Sequence, residues 1–315
     1  MKVPPDLINF LKENDKYFIA THISPEPDAL GSSLALSLAL ESLGKKTIVY
    51  DRDTVPEFYQ FLPGHEKFIH STSEAQTSSC NLILLDCNTP DRAGIEGIVF
   101  RSATVIDHHE TEKGFGDIRW IVPDAAATGI LIYFLLRELG TEITKEIAIN
   151  LYAAIAIDTG TFRYTNTSAD VLRVAAELVD AGASPASISD NLYNVWSDRR
   201  FALLIASLNT LDIRDGVAFT HVTQEMFQKT KTGPEDTENF ANLPRTMKHI
   251  RIAAFFRQIG ENYWKASLRS KGALNVAEIA ITFGGGGHRN AAGYTYRGTL
   301  QDAREALLKA LRKSS

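Results

Sequence analysis

Apolar segments alternate with helical patterns along the first half of the chain, and this alternation restricts the fold more than any other feature. Apolar runs typical of buried strands occupy residues 16–23, 46–50, 81–86 and 104–106. Helical patterns or loops separate these runs, beginning with a helix predicted over 29–43 that ends at Gly44. Because parallel strands need crossover connections, the alternation predicts a parallel sheet covered by helices. We therefore expect an α/β N-terminal domain.

The sequence changes character after a turn signal at residues 182–185. Helices are predicted before it at 128–139, 145–157 and 168–181, and residues 185–211 have the pattern of one rather polar helix. Strands are predicted at 217–222, 250–259 and 263–271, and helices at 275–283 and 300–313. For 315 residues this pattern predicts an N-terminal domain at 1–190, a helical linker at 191–212 and a smaller mixed α/β domain at 213–315. We expect the active site in a cleft between the two domains.

The net charge of −5 conceals an asymmetry between the two parts of the chain. Residues 241–315 contain 13 Lys and Arg against 4 Asp and Glu, a balance of +9, so residues 1–240 carry −14. An acidic part can hold metal cations and a basic part can hold an anion. The alternative is two solvated surfaces that differ by chance.

Cysteine usage and hydropathy indicate a reducing compartment and no membrane anchor. Cys80 and Cys87 have a spacing that fits neither a Cys-x-x-Cys site nor a disulfide framework, so we predict two reduced, buried thiols. The sequence has no apolar run of about 18 residues, and its N-terminus lacks the apolar core of a signal peptide. We expect a cytoplasmic protein without a membrane partner.

Four short segments bring carboxylate and imidazole side chains to the ends of predicted elements. In chain order they contribute His22, Glu26 and Asp28, then Asp86, then Asp107, His108 and His109, and finally Asp158. Ligands of open α/β sheets bind beyond the carboxyl ends of the strands, which is where the first three segments place their polar groups. A lone Asp after a strand is most often a helix cap or a turn residue, but four such segments together are much more specific.

Several carboxylates at one sheet edge would repel one another and raise each other's pKa, and a bound cation removes that cost. Carboxylates mixed with imidazoles suit Mn²⁺, Mg²⁺, Fe²⁺ or Zn²⁺. Two ions about 3.5–4 Å apart would account for so many ligands and would support in-line hydrolysis of a phosphate ester. The segments therefore predict a two-metal hydrolase.

A glycine-rich segment at residues 284–287 precedes His288 and Arg289 in the basic part of the chain. It is not a P-loop, because a Gly-Lys-Ser/Thr sequence does not follow it. Four glycines let the backbone approach a ligand closely and present N–H groups to an anion, whereas the alternative is a flexible helix-to-strand turn. The neighbouring cations Arg269 and Lys271 favour a binding role.

These motifs resemble those of the DHH phosphoesterase family, which is named for the Asp-His-His present here as Asp107-His108-His109. The segment from His22 to Ala29 resembles the family's His-x-x-Pro-Asp-x-Asp-Ala, and residues 284–293 resemble the glycine-rich signature of the DHH-associated domain. The resemblance spans nearly the whole chain. In size and domain order, the chain is most similar to the subgroup of oligoribonucleases, or nano-RNases, that are also adenosine-3′,5′-bisphosphate phosphatases.

The resemblance implies two divalent metal ions, Mn²⁺ with Mg²⁺ as the other candidate, and a set of ligands for each. The ligands of the first ion would be His22, Glu26 and Asp86, and those of the second Asp28, Asp86, His108 and Asp158. Asp86 would bridge the ions, Asp107 would orient an imidazole, and Asp86, His108 and His109 would act in catalysis. One departure is Glu26, where the family usually has Asp, and its extra methylene leaves the occupancy of the first site open.

The resemblance also implies residues that bind the substrate away from the scissile phosphate. They are Arg269, Ser270, Gly286, Gly287 and His288, which would contact a terminal phosphate or a base. Arg163 follows Asp158 closely and is a candidate phosphate clamp, with an ordinary surface arginine as the alternative. Asn242 and Arg245 are candidates for the same cleft.

The function that the resemblance implies is metal-dependent hydrolysis of short single-stranded oligonucleotides, including pApA-type dinucleotides, to 5′-mononucleotides. Adenosine 3′,5′-bisphosphate is a second expected substrate, and relatives of this kind often form homodimers. Two alternatives stay open: a phosphatase or pyrophosphatase for a small phosphorylated metabolite, and a non-catalytic nucleotide-binding protein whose metal site Glu26 has weakened.

Overall fold

The computed structural model describes residues 1–74, 76–109, 114–194, 196–272 and 274–313. The chain divides into two compact units, Met1–Val195 and Trp196–Ser315. Each unit has its own sheet and its own apolar core. Our limits of 190 for the first domain and 191–212 for a linker stay predictions.

A six-stranded sheet forms the centre of the first unit, in the order β3-β2-β1-β4-β5-β6, and all its pairings are parallel. Its strands are β1 Lys16–Ala20, β2 Lys46–Tyr50, β3 Phe68–Ile69, β4 Asn81–Leu85, β5 Ser102–Asp107 and β6 Ile118–Ile121. The helices of this unit are α1 Pro5–Glu13, α2 Pro27–Ser42, α3 Pro90–Ala93, α4 Thr128–Leu139, α5 Lys145–Asp158, α6 Ala169–Asp180 and α7 Pro185–Tyr193. The predicted α/β architecture is confirmed.

Strands β1, β4 and β5 are neighbours in this sheet, and they are the strands that precede the first three polar segments. Strand β1 ends at Ala20, before the predicted end at residue 23, and the hydroxyl of Thr21 then donates to the carbonyl oxygen of Leu85 at the end of β4. The parallel topology therefore places these three polar segments at one edge of the sheet.

Close packing of α2 against α5 depends on Gly31. A Cβ at this position would overlap the carbonyl oxygen of Asn150 in α5, so even a methyl group does not fit without a shift of backbone. Glycine is otherwise a poor helix former, and its presence in a buried helix is explained by this contact.

We expect Gly31→Ala to lower stability by about 1–3 kcal/mol, because overpacking outweighs the better helix propensity of alanine. Thermal unfolding of the metal-free protein measures this effect. Ser42→Ala is a matched control, since Ser42 is exposed near the end of the same helix, and it should change stability by no more than about 0.5 kcal/mol. An unchanged Tm for Gly31→Ala would show that α2 and α5 can move apart.

The second unit contains a mixed sheet in the order β11-β12-β10-β9-β8-β7, in which β8 and β9 are parallel and the other pairs are antiparallel. Its strands are β7 Asp212–Arg214, β8 Val217–Val222, β9 Ile252–Gly260, β10 Tyr263–Ser270, β11 Gly286–His288 and β12 Ala291–Arg297. Its helices are α8 Asp198–Leu208, α9 Gln224–Thr230, α10 Asn242–Arg245, α11 Val276–Thr282 and α12 Leu300–Lys313. The predicted mixed α/β class is confirmed.

One local prediction is wrong, and one short strand was not predicted. The single helix predicted over 185–211 is two helices, α7 and α8, because Ser197 starts a new helix by accepting a hydrogen bond from the backbone N–H of Arg200. The glycine segment is more than a turn, since β11 pairs with β12 at the sheet edge. Gly287 has a φ of 137°, a backbone conformation that favours glycine, which explains the glycine at this position.

Two further expectations concern thiols and membranes. Cys80 and Cys87 are both free and buried, as predicted. Within the described ranges, the structure contains no helix whose length and apolar character would let it cross a bilayer.

Candidate metal centre

The site is built on the carboxyl ends of β1, β4 and β5. Asp86 directly follows β4 and adopts a φ of 58°, a left-handed conformation in which Asp is one of the tolerated residues. Asp107 is the last residue of β5, and His108 and His109 follow it. The buried side chain of Asp86 therefore lies beside the loop that follows β1 and the histidines that follow β5.

His22, Glu26 and Asp86 form one group of possible metal ligands. One ligand atom from each lies within 4.8 Å of those of the other two. The Nε2 atom of His22 is 3.3 Å from Oδ2 of Asp86, and both residues are buried. Glu26 is exposed, so the longer side chain in this position still reaches the group.

Asp28, His108 and Asp158 form a second such group, also within 4.8 Å of one another. Nε2 of His108 lies 3.2 Å from Oδ2 of Asp158, 3.4 Å from Oδ1 of Asp86 and 3.6 Å from Oδ2 of Asp28. Asp86 is thus close to a histidine of each group. The predicted ligands are brought together, and their individual roles stay proposals.

The second group is held by the N-terminus of α4. Asp28 Oδ2 accepts a hydrogen bond from the N–H of Thr128 at 2.7 Å, and Oδ1 accepts one from Gly129 at 2.8 Å. Ala127, the residue before the helix, offers no side-chain cap, so a carboxylate from α2 satisfies these N–H groups instead. The hydroxyl of Thr128 donates to Oδ1 of Asp86 at 2.9 Å.

Backbone carbonyls orient the two ligand histidines. Nδ1 of His108 lies 3.1 Å from the carbonyl oxygen of Ala125, and Nδ1 of His22 lies 3.0 Å from that of Ile23. Because a carbonyl can only accept, each Nδ1 carries a proton, and Nε2 is the ring atom that faces the carboxylates. This is the arrangement that outer partners impose on metal-binding histidines.

Asp107 is buried next to the site and orients His109. Its Oδ1 lies 2.7 Å from Nδ1 of His109 and also accepts hydrogen bonds from the backbone N–H groups of His108 and His109. The amide of Asn88 donates to Oδ2 at 2.8 Å. These contacts are those expected of a residue that orients an imidazole, and this role of Asp107 stays a prediction.

Burial and neighbouring charges shift the pKa values of these groups. Burial, and then repulsion from Asp86 and Asp158, raise the pKa of Asp28 well above its usual value. Burial opposes the charged forms of His22 and His108, but their carboxylate partners outweigh it and raise the pKa of His22 to about 9 and that of His108 to about 12. Without a cation, the carboxylates are therefore balanced by protons.

This donor set fits small divalent cations. It combines carboxylate oxygens with imidazole nitrogens whose tautomer is fixed, which suits Mn²⁺, Mg²⁺, Fe²⁺ or Zn²⁺. A cation would replace the protons that the carboxylates and imidazoles otherwise share.

The substrate residues predicted in the second unit lie at one end of its sheet. Ala291 in β12 pairs with Arg269 in β10 and with His288 in β11, so these residues form one row across three strands. Gly286, Gly287 and His288 are exposed. Ser270 is buried, and its hydroxyl donates to the carbonyl oxygen of Leu274 and accepts from the amide of Asn290.

Three other predicted residues make local contacts. Nε of Arg163, an exposed side chain, donates to the carbonyl oxygen of Gly160 at 2.6 Å. Asn242 donates to the side chain of Asn239, and Arg245 donates to the carbonyl oxygen of Ser270. Their contacts with a substrate stay predictions.

Sequence reasoning missed Thr128, Gly129 and Asn88, which hold the carboxylates in place. A signal for the first two existed, because the small residues 125–127 precede a predicted helix start, and a helix N-terminus favours negative charge. Asn88 had no such signal, since its contact with Asp107 joins the loop after β4 to the end of β5.

Comparison with known proteins identifies the family of the chain. Residues 16–155 match the model of the DHH family, N-terminal domain, and residues 217–314 match that of the DHHA1 domain. A relative from Thermus thermophilus, the bifunctional oligoribonuclease and PAP phosphatase NrnA, is 36% identical over 94% of this chain and 89% of its own length. The chain belongs to the DHH family of phosphoesterases.

Two further proteins match more than nine tenths of the chain. The bifunctional oligoribonuclease and PAP phosphatase NrnA of Bacillus subtilis is 26% identical over 91% of each chain. The crystal structure of an exopolyphosphatase-related protein from Bacteroides fragilis superimposes with a TM-score of 0.90 at 28% identity, covering 98% of this chain and 95% of that one. The predicted two-domain DHH architecture is thereby confirmed along nearly the whole sequence.

Proposed function

We propose that this DHH protein hydrolyses short oligonucleotides, pApA-type dinucleotides among them, to 5′-mononucleotides and also converts adenosine 3′,5′-bisphosphate to AMP. The observation that carries the proposal is the gathering of His22, Glu26, Asp28, Asp86, His108 and Asp158 at one sheet edge. The names of the relatives from Thermus thermophilus and Bacillus subtilis support this choice of substrates.

In this proposal His22, Glu26 and Asp86 hold one divalent ion, and Asp28, Asp86, His108 and Asp158 hold the other. Mn²⁺ is the proposed metal, with Mg²⁺ as the other candidate. When bound, the pair would supply Lewis acidity to the scissile phosphate and a lowered pKa to an attacking water. Glu26 reaches its group in the structure, which supports an intact first site.

We propose that His109 donates the proton that the leaving oxygen needs. Asp107 holds the Nδ1–H of this ring, so Nε2 is the atom left to face the substrate. Burial opposes ionisation of Asp107, but its hydrogen bond with His109 keeps its pKa below the usual value. The carboxylate can therefore stabilise the charged imidazolium from which Nε2 donates its proton.

The DHHA1 domain is proposed to bind the rest of the substrate. Arg269 and His288 stand in one row of the sheet, and the exposed backbone of Gly286 and Gly287 can approach an anion closely. Ser270 is proposed to act in the same site through the loop that its hydroxyl holds. Arg163 is the proposed phosphate clamp of the first unit.

Turnover of pApA, adenosine 3′,5′-bisphosphate and pyrophosphate by purified protein tests the proposal. With Mn²⁺ we expect AMP from the first two and little phosphate from pyrophosphate, and chelation of the metal should abolish both activities. Faster turnover of pyrophosphate than of pApA would overturn the choice of substrate. Nucleotide binding without hydrolysis in any divalent metal would identify a sensor instead.

Cytoplasmic location and a homodimer stay predictions. Light scattering of the full chain tests the second.

A further inference from the structure

One face of the sheet of the DHHA1 domain packs on the main apolar core of this domain, and the opposite face carries several cations beside a second apolar cluster that includes Phe255. In β10 the side chains of Trp264, Ala266 and Leu268 belong to the apolar core. Since side chains alternate along a strand, Tyr263, Lys265, Ser267 and Arg269 occupy the opposite face. We refer to that face as the basic face.

Strand register places further cations on the basic face. Arg257 in β9 is the Cα partner of Lys265, and Arg297 in β12 is the partner of Tyr263. The guanidinium of Arg297 lies 5.1 Å from the centre of the Tyr263 ring. Lys265 and Arg297 are exposed and Arg257 is half-buried.

Lys265 and Arg257 are like charges placed directly opposite each other. Such pairs destabilise a sheet, and the usual cross-strand partner of a cation is an acid. The sequences of β9, β10 and β12 contain neither Asp nor Glu. In the part of the chain that the structure describes, neither Lys265 nor Arg257 makes a hydrogen bond or an ion pair, although Glu235 lies near enough to favour the charged form of Arg257.

The pKa values of Lys265 and Arg257 are both lowered. Partial desolvation lowers the pKa of Lys265, and the charge of Arg257 lowers it further. Desolvation also lowers the pKa of Arg257. An anion between these side chains would relieve the repulsion and offset the desolvation.

We propose that Arg257 and Lys265 form a second phosphate-binding position for a single-stranded oligonucleotide, separate from the row of Arg269 and His288. Lys265 is four residues from Arg269 on the same face, a separation of about 13 Å. A mononucleotide held at Arg269 therefore does not need this position, whereas a longer strand does. The proposal rests on the proposed function and adds a determinant of substrate length.

The double variant Arg257→Gln, Lys265→Gln tests the proposal by binding alone. Anisotropy of a fluorescein-labelled pentaadenylate is measured with EDTA present, over a series of salt concentrations. We expect affinity about tenfold weaker, and a log–log salt dependence shallower by about 1.4, because two phosphate contacts are lost. Lys12→Gln, Lys309→Gln is the control, since it removes the same charge at two exposed lysines elsewhere.

Kinetics with Mn²⁺ provide the second measurement. The double variant should show a KM about tenfold higher for pentaadenylate, with turnover of adenosine 3′,5′-bisphosphate unchanged, because the latter has no phosphate for the second position. Equal binding and equal salt dependence in the double variant and its control would overturn the proposal. Failure of the proposed function is a separate result, namely absence of hydrolysis by the unaltered protein, and leaves the binding measurement valid.

Discussion

Replacement of Asp86 by Asn should reduce kcat/KM for pApA by about 10³-fold or more. Asp86 is the carboxylate close to a histidine of each ligand group, so its loss affects both proposed ions. Lewis-acid stabilisation is worth several kcal/mol, and each 1.36 kcal/mol is a factor of ten in rate. Asn also tolerates the left-handed backbone of this position, where φ is 58°, so the variant should fold.

Calorimetric titration with Mn²⁺ separates this explanation from simple damage. The unaltered protein should bind two ions, and Asp86→Asn should bind neither with comparable affinity. Asp180→Asn removes the same charge from an exposed position at the end of α6 and should retain full activity. Two tightly bound ions in Asp86→Asn would contradict the bridging role.

Mn²⁺ should raise the melting temperature of the DHH domain by about 8–16 °C once its concentration is about 1,000 times the Kd of one site. Binding to the folded state alone adds about 4.1 kcal/mol at that excess, and 1 kcal/mol shifts the melting temperature of a domain of this size by about 2–4 °C. Differential scanning calorimetry with and without EDTA measures the shift. A melting temperature independent of Mn²⁺ would count against the metal centre.

The metal-free protein should lose stability as the pH rises from about 6.5 to 9. The pKa of His22 is raised in the folded state to about 9, above the value of about 6.5 in an unfolded chain. Its contribution is therefore complete below pH 6.5 and is lost as the pH rises through the folded pKa. His108 has a shift of the same sign.

Mn²⁺ should reverse this trend, because the metal displaces the same protons from the imidazoles and its affinity increases with pH. The stabilisation by Mn²⁺ should thus be larger at pH 8.5 than at pH 6.5. A stabilisation that falls with pH would show that these histidines are not ligands.

Most of the fold could be predicted because strand ends and helix starts carry local signals. The apolar runs at 16–23, 46–50 and 81–86 contain β1, β2 and β4, and α12 has the predicted bounds. The break between α7 and α8 was missed because Ser197 is an N-cap inside a segment whose apolar spacing continues on both sides. Strand β11 was missed because three residues rich in glycine have no strand propensity, and only pairing with β12 extends them.

The ionisable residues of the candidate site could be predicted from the sequence, but the hydrogen-bond partners that hold them in place could not. Asp86 and Asp107 were recognisable because each follows an apolar strand, and parallel topology then places them at one edge. The start of α4 was recognisable as a helix N-terminus, but Thr128 and Gly129 lie 100 and 101 residues from Asp28, so no local signal identified Asp28 as the acceptor of their N–H groups. The cross-strand pairing of Arg257 with Lys265 likewise depends on register, which apolar spacing alone does not determine.

The hydrogen bonds from the start of α4 to Asp28 affect how experiments on that residue must be interpreted. The carboxylate of Asp28 serves as the missing cap of a helix that belongs to the main apolar core. An alanine at this position would leave two buried N–H donors without an acceptor at the same time as it removes a ligand. Inactivity of such a mutant would therefore not distinguish loss of a metal ligand from local unfolding of α4. Asp158 is the last residue of α5, and none of the contacts described for its side chain caps a helix, so its replacement gives the cleaner experiment.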